Sequence, residues 1–584
     1  MKKFYLLAVL KFLTVPLLFS QELDWAYSFK HSSVQNYGQA ISANGSHFVI
    51  AGAVINDINV DLVNGNPAYN APGCFIAKYD VDAGIQWVKE QPGGTCAVQD
   101  VFMDADGSVY TTGNFWGTVD FDPSGTTANY TSGGDDSFLQ KLDASGNLQW
   151  VAHTSTGGVS YRIAKKSNGN MLIAGRSQQG GTVATLENGN TVTLDQGVFI
   201  LEISSTGDVI GAYCLPTPVS FSTQLTLAVD ANDNVLIATQ VDGAMDLDLG
   251  SGTLADASNS AYDVVLVKYN SAFQYQWHKV FGDVDQGQPG GWDALTGIET
   301  DASGNIYATG YFTWTTDFDP DDNPGTFVLT AGTGSQTPDG FIIKYNPQGE
   351  IQWVTDAGTV PGLPGNSDVN LHDIILSGDN IIVSGYLNGK ADFDGSADTF
   401  LLQTFDNGLA LCYAHYNTSG ELQNAWLIDG ILSANESHSG IELLNNGFVA
   451  YGTFQKKCDM DPTDQTYLLY TDSTGSFYNA DNDVFVAKYE LTGLTGLPEP
   501  ASSNTLRVFP NPSGSGFNVL LDKTGTEYML ELSDITGKRL AVYTIGNTTN
   551  HIVIPSDNLN SGVYLLSLYT REGALLEVKK AVVR

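Results

Sequence analysis

The 584-residue sequence predicts an all-β protein, a seven-bladed β-propeller followed by a small C-terminal Ig-like β-sandwich. Three observations predict this. An aromatic residue recurs along most of the chain, two short apolar strands recur with it seven times each, and the composition suits strands and turns. With 63 glycines, 11% aromatic and only 15% charged residues, the chain is apolar enough to bury a core and rich enough in glycine to turn often.

The aromatic recurrence sets the period. Trp25, Trp87, Trp150, Trp277, Trp353 and Trp426, with Tyr213 in the one gap, are separated by steps of 62, 63, 63, 64, 76 and 73 residues. Each step carries an apolar strand ending near glycine: 46–52, 108–113, 170–175, 305–310, 380–385 and 447–452, with 234–239 as the copy lacking glycine. A second strand ends in a basic residue at Lys78, Lys141, Lys268, Lys344 and Lys488, with Glu202 and His415 in that place in the other two copies. Such runs alternate apolar and polar residues and favour Val, Ile, Phe and Tyr, so they are strands. Between them stand turn sequences such as Asp143-Ala-Ser-Gly146 and Asp301-Ala-Ser-Gly304.

A repeat of this size with four antiparallel strands matches a propeller blade, in which neighbouring sheets cover one another's apolar faces. Residues 22 to about 494 resemble the SBBP-type propeller repeat. The first aromatic, in Leu23-Asp24-Trp25, has no earlier strands to join, while the last copy lacks its outermost strand. Residues 22–29 are therefore expected to pair with the final blade and close the ring, removing an open edge.

The ends read differently. Residues 1–20 carry two early lysines, an apolar stretch and Ser20, the plan of a secretory signal peptide. No other stretch is apolar enough to be expected to span a bilayer. Residues 497–504 form a Pro/Ser linker between the propeller of 21–496 and a domain of 505–584. That tail contains Val508-Phe-Pro-Asn-Pro512, Asp534 with Gly537, Gly562-Val-Tyr-Leu565, and Lys579-Lys-Ala-Val-Val583. In Pro510, Asn511, Pro512, Asp534, Gly537, Gly562, Tyr564, Lys579 and Lys580 it resembles the type A sorting domain of the type IX secretion system. The resemblance implies recognition by that machinery, release or surface attachment, and a Bacteroidota-type source.

Charge narrows the partners. The formal net charge of -38 lies entirely in the large domain, which has 15 basic and 56 acidic residues from Gln21 to Leu497; the tail has eight of each. Such a surface repels phosphate backbones and anionic headgroups, so nucleic acid is not an expected partner. A monomer is expected. The five cysteines are odd in number and lack a C-x-x-C pair; export permits a Cys74–Cys96 disulfide, with buried free thiols as the other reading.

Function is less legible. No G-x-S-x-G, H-E-x-x-H or phosphate-binding glycine loop occurs, and no catalytic residue is assigned. The long connections should share one face of the ring, and binding resides on such loops. Trp116, Trp292 and Trp314, which do not follow the period, and His372 in a long linker are the ligand candidates, for a glycan, a protein or an extracellular polymer. The Asp-x-Asp pieces at 120, 246, 317, 392 and 459 have two readings: a structural device repeated in each blade, or a Ca²⁺ site, centred on Asp319, Asp321 and Asp322 where acids are densest. The recurrent lysines are expected to pair with neighbouring carboxylates. A polysaccharide hydrolase or lyase is the alternative to a binding scaffold.

Overall fold

The structure, a computed structural model, describes most of residues 21–491 and the strands of 506–583; segments 1–20, 284–292, 360–367, 432–439, 471–481 and 492–505 are among those outside the described residues. The leader and the linker fall in that set. Every described element is a strand. Two compact units divide at Gly496 and Leu497.

The large unit is a series of four-stranded antiparallel sheets. The first two share one long strand: Ile85–Met103 is the outer strand of one sheet and the inner strand of the next. The change of sheet occurs at Gly93 and Gly94, both at positive φ, where a Cβ on Gly93 would lie 2.4 Å from the Thr118 carbonyl oxygen. A Cys74–Cys96 disulfide pins this passage. Cys412, Cys458 and Cys214 are not disulfide-bonded; the first two are buried and Cys214 is half-buried.

The third to sixth units repeat one plan. In the third, Val159–Lys165, Met171–Ser177, Gly197–Ile203 and Val209–Pro216 pair in order. The fourth runs from Leu225–Val229 to Tyr275–Asp283, the fifth from Ala294–Thr300 to Ile351–Ala357, and the sixth from Asp368–Ser377 to Leu422–Ile428. The seventh takes three strands from the end of the series, Gly440–Leu444, Gly447–Asp459 and Asn482–Leu491. Its fourth is Gln21–His31, with Glu22 opposite Glu490 and Phe29 opposite Val484.

The core lies between sheets. Leu172, Val198 and Ile200 of the third unit pack with Leu225, Ile237 and Val267 of the fourth. Each such side chain stabilises by roughly 1.5–3 kcal/mol when fully buried, and a two-faced sheet buries them on both sides. The recurrent tryptophan explains how neighbours are aligned. In four copies its indole N–H donates to a turn carbonyl one unit further on, Trp87 to Ala144 at 3.0 Å, Trp150 to Ser205 at 3.1 Å, Trp277 to Pro347 at 3.1 Å and Trp353 to Thr418 at 3.2 Å, whereas that of Trp426 is buried without a hydrogen-bond partner among the described residues. Trp25, on the first strand of the chain, donates to Val81 at 3.0 Å. Tyr213 has no indole, and stacks on Phe273 at 4.0 Å instead.

The recurrent lysines correct one expectation. Lys268 pairs with Asp230 at 3.0 Å and Lys488 with Asp24 at 2.7 Å. Lys78 instead donates to the carbonyls of Gly107 and Ala144, and Lys344 to that of Thr418. Lys141 and Lys344 also lie over the rings of Tyr110 and Tyr307. The lysine is chiefly a turn clamp: a long stem reaches turn carbonyls of the next unit, including Pro347 O from Lys268, while the carboxylates it meets, Asp230 and Asp24, belong to its own unit.

In the small unit, Leu506–Phe509, Gly516–Leu521 and His551–Pro555 form one sheet, and Arg539–Ile545, Tyr528–Asp534, Gly562–Thr570 and Leu575–Val583 a second. Val519, Leu530, Ile554, Leu566 and Leu568 are its core. Asp534 stands opposite Tyr564, which is buried, while Lys579 and Lys580 lie in the last strand opposite Leu566 and Leu565. Gly562 opens the strand before it. Pro510, Asn511, Pro512 and Gly537 lie outside the described residues.

Candidate functional site

The Asp-x-Asp pieces are hairpin caps. The first Asp of each accepts backbone N–H groups two and eight residues on: Asp120 from Asp122 and Ala128, Asp246 from Asp248 and Leu254, Asp392 from Asp394 and Phe400, and Asp459 from Asp461 and Tyr467. Asp317 takes Asp319 and Gly325 in the same way. The residue between the acids, Phe121, Leu247, Phe318, Phe393 or Met460, is fully buried. A tyrosine after the recurrent basic position often locks the piece, as Tyr269 after Lys268 does by donating to Leu247 O at 2.9 Å and Tyr416 after His415 to Phe393 O at 2.8 Å.

Asp319, at the centre of the calcium expectation, has a partner within the chain. Its side chain is buried and ion-paired with Lys279 at 2.9 Å, so one ligand is already committed to a cation of the chain itself. Asp321 and Asp322 lie outside the described residues. Among the described residues no cluster of three or more His, Cys, Asp or Glu has the geometry to hold a metal.

The described ligand candidates lie in three different units. Trp116, in Val109–Asp120 of the second unit, is 58% exposed. Trp314, in the fifth unit, is half-buried at φ +60, with its indole N–H buried and without a hydrogen-bond partner. Trp292 is outside the described residues. His372 is placed differently from the sequence expectation. It lies within the first strand of the sixth unit, not in a linker, as the extra residue of a β-bulge between Leu371 and Asp373, edge-on to Tyr386 at 5.2 Å.

The same bulge recurs on other first strands, at Val98/Asp100, Ser160/Arg162 and Leu295/Gly297. Five charged side chains on these strands form an electrostatically coupled group that recurrence alone had hidden: Asp100, Arg162, Glu299, Asp373 and Glu442, all half-buried. Two of them are buckles. Asp100 accepts Val101 N with one oxygen and, with the other, Ile163 N of the next unit, both at 2.9 Å. Asp373 treats Ile374 N and Ile441 N identically, again at 2.9 Å.

Their acidity follows from this setting. Burial pushes Asp100 and Asp373 up to about 6, against the pull of the bonded N–H groups and the Arg162 charge. Glu299 is pushed up to about 8 by burial and by Asp373. Glu442 is raised well above the usual carboxylate range by burial, then by Asp373, Glu299 and Asp100. Glu299 thus holds its proton more firmly than an ordinary carboxyl.

An aromatic pair stands on the neighbouring strands. Tyr311 and Tyr386, half-buried, occupy equivalent register positions just after Gly310 and Gly385. Burial pushes both hydroxyls up to about 12, with the Tyr386 charge a further cause at Tyr311 and the Asp368 charge a further cause at Tyr386. A concave groove elsewhere, lined by Asn44, His47, Lys78, Trp87 and Asp106, has its cation and indole already bonded to turn carbonyls, which makes it architectural.

Residues 507–584 match the family described as the secretion system C-terminal sorting domain. The tail therefore marks a secreted or cell-surface-attached protein that engages the type IX secretion machinery. Among the described residues, no helix is long and apolar enough to cross a membrane. No curated protein matches the chain. Solved structures similar to it include a polysaccharide lyase, the PL25 ulvan lyase bound to -[GlcA(1-4)Rha3S]-, at 9% identity and TM-score 0.37, covering 73% of this chain and 92% of that one. The extracellular domain of a one-component system from B. thetaiotaomicron aligns at 10% identity and TM-score 0.23, over 97% and 100% of the two chains. At such values these likenesses carry no argument about function.

Proposed function

We propose that the large unit is a closed seven-bladed propeller of the SBBP type that serves, once exported, as a non-enzymatic surface or secreted scaffold binding a glycan. Closure is supported by the packing of Gly440–Leu444 of the seventh unit against Tyr37–Ala43 of the first, with Asn445 N donating to Gly45 O at 3.2 Å, and by the reach of Trp25 to Val81. The observation that carries the binding reading is the pair Tyr311 and Tyr386 with His372 at its edge. Partly exposed aromatic rings on a rigid sheet present apolar faces for sugar rings, and their hydroxyls find no acceptor among the described residues. Trp116, solvent-exposed on a strand of the second unit, and Trp314 are secondary, separate candidates.

A polysaccharide hydrolase or lyase is the second reading, and Glu299 with Glu442 favours it. Two carboxyls of raised pKa that sense one another are the raw material of acid–base chemistry. Incubating the mature chain with a polysaccharide panel separates the two. Retained binding without new reducing ends or unsaturated products is expected; release of either product, abolished by Glu299→Gln, establishes the enzyme. Export is tested separately: removing residues 505–584 should leave the chain in the periplasm, and normal export of that truncation would remove the sorting role.

A further inference from the structure

Between Gln21 and Leu497 the chain has only two arginines, Arg162 and Arg176, and both stand on the first two strands of the third unit. Arg162 has company: its charge acts on Asp100 and Asp373, and its Nη1 donates to Tyr161 O at 2.9 Å. Arg176 does not. It is 7% exposed, and its Nη2 donates to Thr239 Oγ1 of the fourth unit at 2.7 Å. Its Nε is buried with no hydrogen-bond partner. Burial lowers its pKa, and Tyr161 is the one ionisable group whose charge opposes that. No carboxylate pairs with it among the described residues, although the unit around it has 56 acids to 15 bases.

A guanidinium remains charged in proteins, and burying it without a counter-ion is costly. Architecture does not demand a cation here. The equivalent register position, one residue past the end of the repeated strand, holds Asn114 in the second unit, Gln240 in the fourth, Tyr311 in the fifth, Tyr386 in the sixth and Thr453 in the seventh. None is charged. Thr239, the one partner of Arg176, has other bonds, to Gln224 O at 3.2 Å and Gln240 O at 3.4 Å, so it does not require the arginine either.

Resting on the glycan-binding reading, we propose that Arg176 is the anchor of an oxyanion subsite that takes a single carboxylate or sulfate group of an acidic sugar, with Tyr161 beside it. The planar fork with a free Nε–H is suited to two parallel hydrogen bonds to one such group. One cation within a strongly acidic unit suits a polymer with isolated charges; a densely anionic peptide or nucleic acid would be repelled.

The test uses the mature full-length chain labelled with ¹⁵N at arginine Nε, which gives a signal for each of its six arginines. Arg176→Gln assigns one signal by removing it. Oligoglucuronate, a sulfated glucan oligosaccharide and a neutral glucan oligosaccharide of equal length are then titrated. A saturable shift of the Arg176 signal with either charged sugar and none with the neutral one is expected; which sugar acts identifies carboxylate or sulfate. No shift with both charged sugars, or an equal shift with the neutral one, overturns the subsite. Stability gives a second readout: Arg176→Met should melt at the same or a higher temperature than the wild type, because an uncompensated charge is removed, and a lower melting temperature would make Arg176 structural. Glycan binding that Arg176→Gln leaves unchanged overturns this inference alone, whereas no glycan binding by the wild type removes the underlying reading as well.

Discussion

A chain that starts at residue 32 is expected to lose cooperative folding of the large unit. The missing strand, Gln21–His31, supplies Trp25, Ala26, Tyr27 and Phe29, all buried, the last packed edge-on to Phe75. Three large aromatics at roughly 1.5–3 kcal/mol each already compare with the ~5–15 kcal/mol by which domains are stable. The ladder to Asn482–Leu491 is lost as well, and an open edge is left. Lys488 loses Asp24, and Tyr467 loses the Ala26 carbonyl that its hydroxyl bonds at 3.0 Å. Thermal melting and limited proteolysis read the effect, and a synthetic peptide of residues 21–31 should partly restore the wild-type melt. A truncated chain that melts at the wild-type temperature would mean that the strand is an accessory.

The second large effect is a fall in melting temperature as pH rises from about 5 to 8. Asp100 and Asp373 at about 6, Asp339 at about 7, Glu299 at about 8 and Glu442 higher still are all raised above unfolded carboxylates, with burial the leading cause in each. A raised acid holds its proton more firmly when folded, so it contributes stability below its unfolded pKa and loses that contribution as pH climbs through its folded one. Each tenfold difference in acidity corresponds to about 1.4 kcal/mol, reduced for Asp100, Asp373, Glu299 and Glu442, which are only half-buried, whereas Asp339 is fully buried. His415 acts in the opposite direction: burial pushes it down to about 4, so it costs stability as pH falls below the unfolded histidine value. One histidine against five carboxyls leaves the fall with rising pH in control. Glu442→Gln should therefore raise the melting temperature at pH 8 more than at pH 5. A melting temperature that climbs between pH 5 and 8, or a Glu442→Gln gain independent of pH, would contradict the assignment.

What the sequence made legible was whatever repeats. The tryptophan period, the glycine-ended strand and the Asp-Ala-Ser-Gly turns each recur because every sheet must solve the same packing problem, and each was readable as strand, turn or contact between sheets. Recurrence also favoured a structural role for Asp120, Asp246, Asp317, Asp392 and Asp459, and the caps they form show the mechanism. It misled at the lysines, because period gives register but does not say which atoms, of the same unit or the next, stand within reach of the long side chain. Lys78 meets carbonyls where Lys268 meets Asp230.

The candidate site was illegible for the converse reason. Asp100, Arg162, Glu299, Asp373 and Glu442 each break the apolar pattern of a single first strand, so none stands out against seven copies, and only the arrangement of the sheets brings their charges into mutual range. The one available signal was compositional: both arginines of an otherwise acidic unit fall within fifteen residues of each other, on adjacent strands. His372 was singled out, but as a linker residue, because a bulge cannot be told from a turn by sequence alone.

The clasp between the two ends of the large unit can be measured without altering the protein. Lys488 Nζ lies 2.7 Å from an Asp24 carboxylate oxygen across 464 residues of sequence, and a zero-length carbodiimide coupling followed by peptide mapping reads that contact. An isopeptide bond joining the peptides of Asp24 and Lys488 within one monomer, at a yield independent of dilution, is the predicted result. Absence of that bond, or its appearance only in dimers, would contradict a ring closed by its own amino-terminal strand.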